Sequence, residues 1–278
     1  MKKFFPLLFT ACLTLVLTWQ CDTIDQPFNN GGTTDTTAQQ QRNVLIEDFT
    51  GHRCKNCPKA SKQIDTLVAT FGEGRIVGLA IHAGPNNFTA VTTDYPTDLT
   101  TQEGRDIQSF FGTNFLPCGM INREGWTATG NTHIRTYQSW PTLSVEAMDS
   151  TLKVELSATA TVAGGNLVVN TTATPLTNLL HDLDLVVLVK ESGIVSPQLL
   201  PDNSRDADYI HKNVLRDYVT PITGVEIGSS PILANSAISH ADTLAWNTSW
   251  VQSNAKVVVY VFNPENNRIL QVIQREIN

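Results

Sequence analysis

The chain has 278 residues, 41% of them hydrophobic, which is enough for a core in each of two domains. A net charge of −7 with 16% charged residues excludes a protein held to nucleic acid by phosphate neutralisation. No nucleic acid is expected as a partner. Thr, Asn, Ser and Gln must supply much of the polar surface, as in exported β-rich proteins.

Lys2 and Lys3 form a basic leader start, and residues 4–17 an apolar run that is short for a bilayer span. Cys21 follows where a lipoprotein signal places the cysteine that receives lipid. Thr18, Trp19 and Gln20 are not the aliphatic and small residues of such a signal, so ordinary signal cleavage stays open. Residues 1–21 are read as a signal peptide with its lipobox cysteine, and Cys21 as a lipidation site that anchors the chain to a membrane. Residues 22–41 have few apolar side chains and no period, and read as a disordered tether. Of five cysteines, Cys12 and Cys21 belong to the leader. Cys54, Cys57 and Cys118 remain for the folded protein, so one thiol stays free or the three share one site.

Residues 42–50 read as a strand that stops at Gly51. Cys54 and Cys57 follow at C-x-x-C spacing, and Ala60, Ile64, Leu67, Val68 and Phe71 then fall on one face of a helix over 57–71. At a strand-to-helix junction this spacing lets two thiols close a small disulfide ring. The helix N-terminus, with Arg53 and Lys55, favours thiolate at Cys54, the more exposed of the pair. Alternation turns Glu47 or Asp48 inward, where a carboxylate can accept a thiol proton, although a surface carboxylate fits equally. The apolar run 75–82 reads as a buried parallel strand, which makes a right-handed crossover unit. A helix over 99–111 would bury Ile107, Phe110 and Phe111. Pro117 before the short apolar strand that starts at Cys118 fits a cis X-Pro loop. Thioredoxin-like folds place such a loop opposite their C-x-x-C. A last short helix is expected over 131–140, and 42–140 is read as an α/β thioredoxin-like domain.

From 141 to 278 the texture is β. Segments 152–156 and 166–170 flank a Gly164-Gly165 turn, 183–190 is a buried strand, and 256–263 with 269–277 closes the chain as a hairpin. This indicates an all-β, immunoglobulin-like sandwich domain. Residues 196–250 resist assignment beyond loops.

Phe49-Thr50-Gly51, Cys54-x-x-Cys57-Pro58, Ile81-His82-Ala83-Gly84 and Pro117-x-Gly119-x-Ile121-Asn122-Arg123 together resemble the outer membrane protein 28 family of Bacteroidetes. So do Tyr209-Ile210-His211-Lys212-Asn213-Val214-Leu215-Arg216 and the C-terminal Asn263-Pro264-Glu265-Asn266. The resemblance implies an outer membrane lipoprotein, periplasmic or surface-exposed, with a thioredoxin-like domain before a β-rich one and a role discussed as surface protein or adhesin. Arg53 stands where thioredoxins carry Trp, and Cys118 directly follows the proline.

Two readings of function stay open. In one, Cys54 attacks a protein disulfide, Cys57 resolves the mixed disulfide, and Pro117 and Cys118 face them from the proline loop. In the other, the disulfide is structural and the chain binds a protein partner without catalysis. Cys118 is equally readable as a small buried residue. A metal set of the three cysteines with His52 or His82 is a weaker alternative, since there is no second C-x-x-C. The sequence indicates no cofactor and no metal, and neither settles whether the protein is an enzyme.

Overall fold

The computed structural model describes residues 41–85, 87–127 and 132–278, so the leader, Cys21 and nearly all of the expected tether lie outside the described residues. Strands Val44–Thr50 (β1) and Ile76–His82 (β2) pair in parallel through helix Cys57–Phe71 (α1). Helix Gln102–Phe111 (α2) leads to Cys118–Ile121 (β3), which runs antiparallel to β1 on its other side. The Thr101 hydroxyl caps α2 by accepting from the Gly104 N–H, and Gly112 closes it with φ 70°.

β1 is buried along its whole length, so its alternation separates two cores rather than core from solvent. Val44 and Ile46 pack with Ala60, Ile64 and Leu67 of α1. Leu45 and Phe49 pack with Ile107 and Phe111 of α2. Asp48 therefore lies on the α1 face and Glu47 on the α2 face, and both carboxyls are buried. Phe110, expected inside, is 51% exposed, because the buried stripe of α2 is Gly104, Ile107 and Phe111.

The helix expected over 131–140 is found later. A 3-10 turn at Tyr137–Ser139 runs into helix Trp140–Asp149 (α3). Pro141 sits in the first turn of α3, where its missing N–H leaves no helical bond unmade. Fully buried Trp140 fixes the helix against Val44, Ile46 and Ile121.

Val154–Ala163 (β4) and Asn166–Pro175 (β5) form a hairpin on Gly164 and Gly165, both at positive φ. Leu183–Glu191 (β6) is followed by the two-residue strands Ile194–Val195 (β7), Gln198–Leu199 (β8), Arg205–Asp206 (β9) and Ile210–His211 (β10). Val214–Tyr218 (β11), Val225–Gly228 (β12), Ile238–Ala245 (β13), Ala255–Asn263 (β14) and Arg268–Glu276 (β15) complete the chain.

One sheet runs β15-β14-β6-β11-β2-β1-β3, with β12 also on β6, and so takes strands from both sides of residue 141. A second sheet, β13-β5-β4, covers one face of it. Leu185, Val187, Val257, Val259 and Val261 pack toward this second sheet. The intervening Val186, Leu188, Val258, Tyr260 and Phe262 pack toward α2. The fold is mixed α/β, rich in sheet, with three α-helices among the described residues.

Within the main sheet the two halves meet over a short stretch, while Arg42 and Asn43 donate to the Ile269 and Val272 carbonyls and the Ile269 N–H to the Asn122 carbonyl. β11 meets β2 at one register pair, Val214 opposite Ala80. Beside it the Lys190 ammonium donates to the Gly78 carbonyl and the Asn213 side-chain oxygen, both at 2.9 Å, and replaces ladder bonds where the strands diverge.

Candidate functional site: a covered disulfide

β1 delivers the chain to Gly51, where a Cβ would come within 2.6 Å of the Phe88 carbonyl oxygen. Only glycine lets the Phe88 backbone approach this closely. The Cys54 N–H then bonds the Gly51 carbonyl at 3.0 Å and the Cys57 N–H the Cys54 carbonyl at 3.1 Å. These turns set the two Cα atoms 5.4 Å apart, and the cysteines are joined as a disulfide. α1 begins at Cys57 with Pro58 in its first turn and no side-chain cap, and the Cys57 and Lys59 N–H groups are taken by the Cys54 and Asn56 carbonyls.

Both sulfurs are covered. Cys54 is 3% and Cys57 1% exposed, so Cys54 is the more exposed of the pair by a small margin and both are buried. The cover is the segment 196–211. Its Gln198 amide donates to the Cys54 carbonyl at 3.2 Å and the Gly51 carbonyl at 3.4 Å, while the Leu199 N–H donates to the His52 carbonyl at 2.8 Å. Lys55 reaches Asn203 at 3.3 Å, and Arg205 donates to the Asp94 carbonyl at 3.0 Å. On the other flank His52 stacks on Tyr95 with ring centroids 5.4 Å apart and bonds the Ala90 carbonyl.

Beneath the disulfide is a small polar chamber of about 20 Å³, room for one water, lined by Asp48, Cys57, Ser61, His82, Tyr209 and His211 among others. The Asp48 Oδ1 and His82 Nδ1 have no hydrogen-bond partner there. Burial raises the Asp48 carboxyl well above the usual carboxylate range. Burial lowers His82 well below the usual imidazole range, helped by the neighbouring His211, and takes His211 down to about 4. Burial thus disfavours the charged forms of Asp48, His82 and His211, with Lys212 the one other titratable cation in the lining.

Pro117 is cis to Leu116, and Cys118 follows at the start of β3, fully buried. Cys118 pairs with Phe49 and packs with it on the α2 face, whereas Asp48 and Cys57 lie on the α1 side. Its thiol is pushed up to about 12 by burial and then by Asp48, so it stays protonated at neutral pH. The structure brings Asp48, His82, Tyr209 and His211 to Cys57. Among the described residues no group of three His, Cys, Asp or Glu is placed to hold a metal ion.

Gln198 and the 196–211 cover were beyond sequence reasoning, since strands of two residues carry no readable period. The run Tyr209-Ile210-His211 was noted for its resemblance, not for its place at the site. Arg123, which entered the sequence reading only through the resemblance, is buried against Glu47 through bonds of 2.9 and 2.7 Å.

Fold and site together define a mixed α/β protein with a covered disulfide at a strand-to-helix junction. The family model for outer membrane protein Omp28 matches residues 105–278, more than half of the chain. The chain belongs to the Omp28 family, and as a member it is an outer membrane protein of the cell envelope. No helix among the described residues is long and apolar enough to cross a membrane. HBP35 of Porphyromonas gingivalis is similar in fold, with TM-score 0.64 at 18% identity over 86% of this chain and 76% of that one. Protein AGR_C_4864 of Agrobacterium tumefaciens follows with TM-score 0.51 at 15% identity over 85% of this chain and 95% of that one. A domain of the outer membrane lipoprotein Omp28 of Porphyromonas gingivalis is 20% identical over 46% of this chain and 91% of that one, with TM-score 0.32. No curated protein matches in sequence.

Proposed function

We propose that this chain is a lipid-anchored envelope protein whose Cys54–Cys57 disulfide exchanges with thiols of a protein partner. The reading treats β1-α1-β2-α2-β3-α3 as a thioredoxin-like unit. It is supported by the parallel β1–α1–β2 crossover, by antiparallel β3, and by helices on both faces. The observation that carries the reading is Asp48, a buried carboxyl with an unpartnered oxygen lining the same chamber as Cys57. A purely structural disulfide has no use for an acid at that place.

In the exchange a partner thiolate attacks the Cys54 sulfur, the Cys54–Cys57 bond breaks, and Cys57 leaves as a thiolate. The carboxylic acid of Asp48 protonates it. A second partner thiol attacks the mixed disulfide, which leaves Cys54 and Cys57 reduced and the partner oxidised by two electrons. The reverse sequence reduces a partner disulfide, with Asp48 carboxylate taking the Cys57 proton. Pro117 would border the partner's peptide, and Cys118, protonated on the other face, takes no part.

Burial of both sulfurs beneath 196–211 favours a second reading, in which the disulfide is a staple and the protein binds its partner without catalysis. An exchange assay separates them. The full chain should turn over a model dithiol and Cys54→Ser should abolish this with the thermal midpoint little changed. A full chain without activity, whose Cys54→Ser variant only melts earlier, supports the staple.

A further inference from the structure

On the α2 side, away from the disulfide, a cavity of about 280 Å³ opens between α2, the turn after β3 and the two loops at 222–223 and 264–267. Its walls are aromatic and aliphatic: Phe110, Phe111, Trp126, Ile222 and Phe262. Phe110 is half exposed and lies parallel to Trp126, with an interplanar angle of 4° and centroids 6.5 Å apart.

Arg123 is the one charged residue that lines the cavity, and it is 1% exposed. Its guanidinium is fixed on one edge. Nε and Nη2 donate to the two Glu47 oxygens at 2.9 and 2.7 Å, and Nη2 also donates to the Tyr260 hydroxyl at 2.7 Å. The rings of Phe111 and Tyr260 pack against it, with centroids 4.6 and 5.1 Å from the guanidinium carbon. Nη1, with two N–H donors, has no hydrogen-bond partner among the described residues. Nη1 is not among the buried side-chain atoms without a partner, so it borders open space on the cavity side, where an acceptor can reach it.

We infer that this cavity is a binding site for a small aromatic carboxylate, the ring lying against Phe110 and Trp126 and the carboxylate accepting from Arg123 Nη1. Several features select this class. The volume suits one ring with a short chain, and flat apolar walls favour an aromatic body over a polar one. With no acidic side chain in the lining, an anion is the charge that the guanidinium can take, and charge-assisted bonds to guanidinium are the strong ones. The inference is independent of the disulfide and of whether it exchanges.

Calorimetric titration of the full chain with phenylpropionate tests it, with the amide, the corresponding phenylpropylamine and butyrate as comparisons. Phenylpropionate should bind one to one, the amide about tenfold more weakly, and the amine and butyrate not measurably. Removing Arg123 would strand the buried Glu47, so the variants are on the walls. Phe110→Ala and Trp126→Ala should each weaken phenylpropionate by about tenfold while the thermal midpoint of Phe110→Ala stays unchanged. The inference is overturned by an absence of saturable binding to the unmodified chain, by affinity unchanged in both variants, or by an amine that binds as well as the acid.

Discussion

The carboxyl of Asp48 meets no donor at Oδ1, and burial raises its pKa in the fold above the value of 3.8 that the unfolded chain would show. Between these two values the folded state holds more protons than the unfolded state, so stability from this group is present at low pH and falls as pH rises. Asp48→Asn removes that loss. It should raise the thermal midpoint at pH 7 by the few degrees that about 1 kcal/mol gives in a chain of this size, and slow exchange about tenfold or more. A midpoint lowered at pH 7 in scans against pH would show that the ionised carboxyl stabilises the fold. Lys190 has the opposite sign. Burial takes it from 10.5 to about 7, so the unfolded chain binds more protons between those values and stability rises with pH across the window. Denaturant midpoints from pH 7 to 10 should show this slope, and Lys190→Met should remove it. Arg123 and Glu47 are both at most 1% exposed. Glu47→Gln should cost about 3–5 kcal/mol, because it leaves a buried cation with half a partner. An unfolding free energy from urea titration that falls by less than about 1 kcal/mol would mean that water already reaches the guanidinium.

At the scale of elements, the cover 196–211 decides how the disulfide meets its partner. It holds the C-x-x-C turn by side-chain bonds from Gln198 and one backbone bond from Leu199. Each is worth about 0.5–1.5 kcal/mol. Gln198→Ala should therefore raise the rate of disulfide reduction by dithiothreitol about three- to tenfold with little change in the midpoint of global unfolding. An unchanged rate would mean that reduction needs no opening of this segment. The same element marks where the sequence stops being legible. α1, β2, the Gly164-Gly165 hairpin and the closing hairpin of β14 and β15 were readable because long periodic or continuous apolar runs, with glycine punctuation, encode them. The cover is polar, and its strands are two residues long, so its position depends on contacts with a loop almost 150 residues away in sequence. α3 was misplaced for a local reason: Pro141 reads as a break, but in a first turn it begins a helix.

In the whole molecule, one sheet takes β3, β1 and β2 from one end of the chain and β11, β6, β14 and β15 from the other. The apolar runs announced the individual strands. Their union was not legible, because one register pair of β11 with β2, the Lys190 bonds and a core shared by residues far apart in sequence make the join. Of the candidate site, the C-x-x-C and an inward carboxylate could be read from spacing and alternation. The covering residues and the place of Cys118 on the opposite face depend on long-range register and could not. Cys21 bears on where the molecule is held. If it carries lipid, Cys21→Ala should move the protein from the membrane to the soluble fraction, and an unchanged distribution in fractionated cells would contradict the anchor.

The most direct test of the central claim is the reduction potential of Cys54–Cys57 in the full chain, measured by thiol trapping across graded glutathione buffers with Cys118→Ala as control. An exchanging pair should titrate at roughly −180 to −270 mV, where oxidoreductases operate. A pair that stays oxidised to below about −300 mV would contradict exchange and leave the disulfide as a staple.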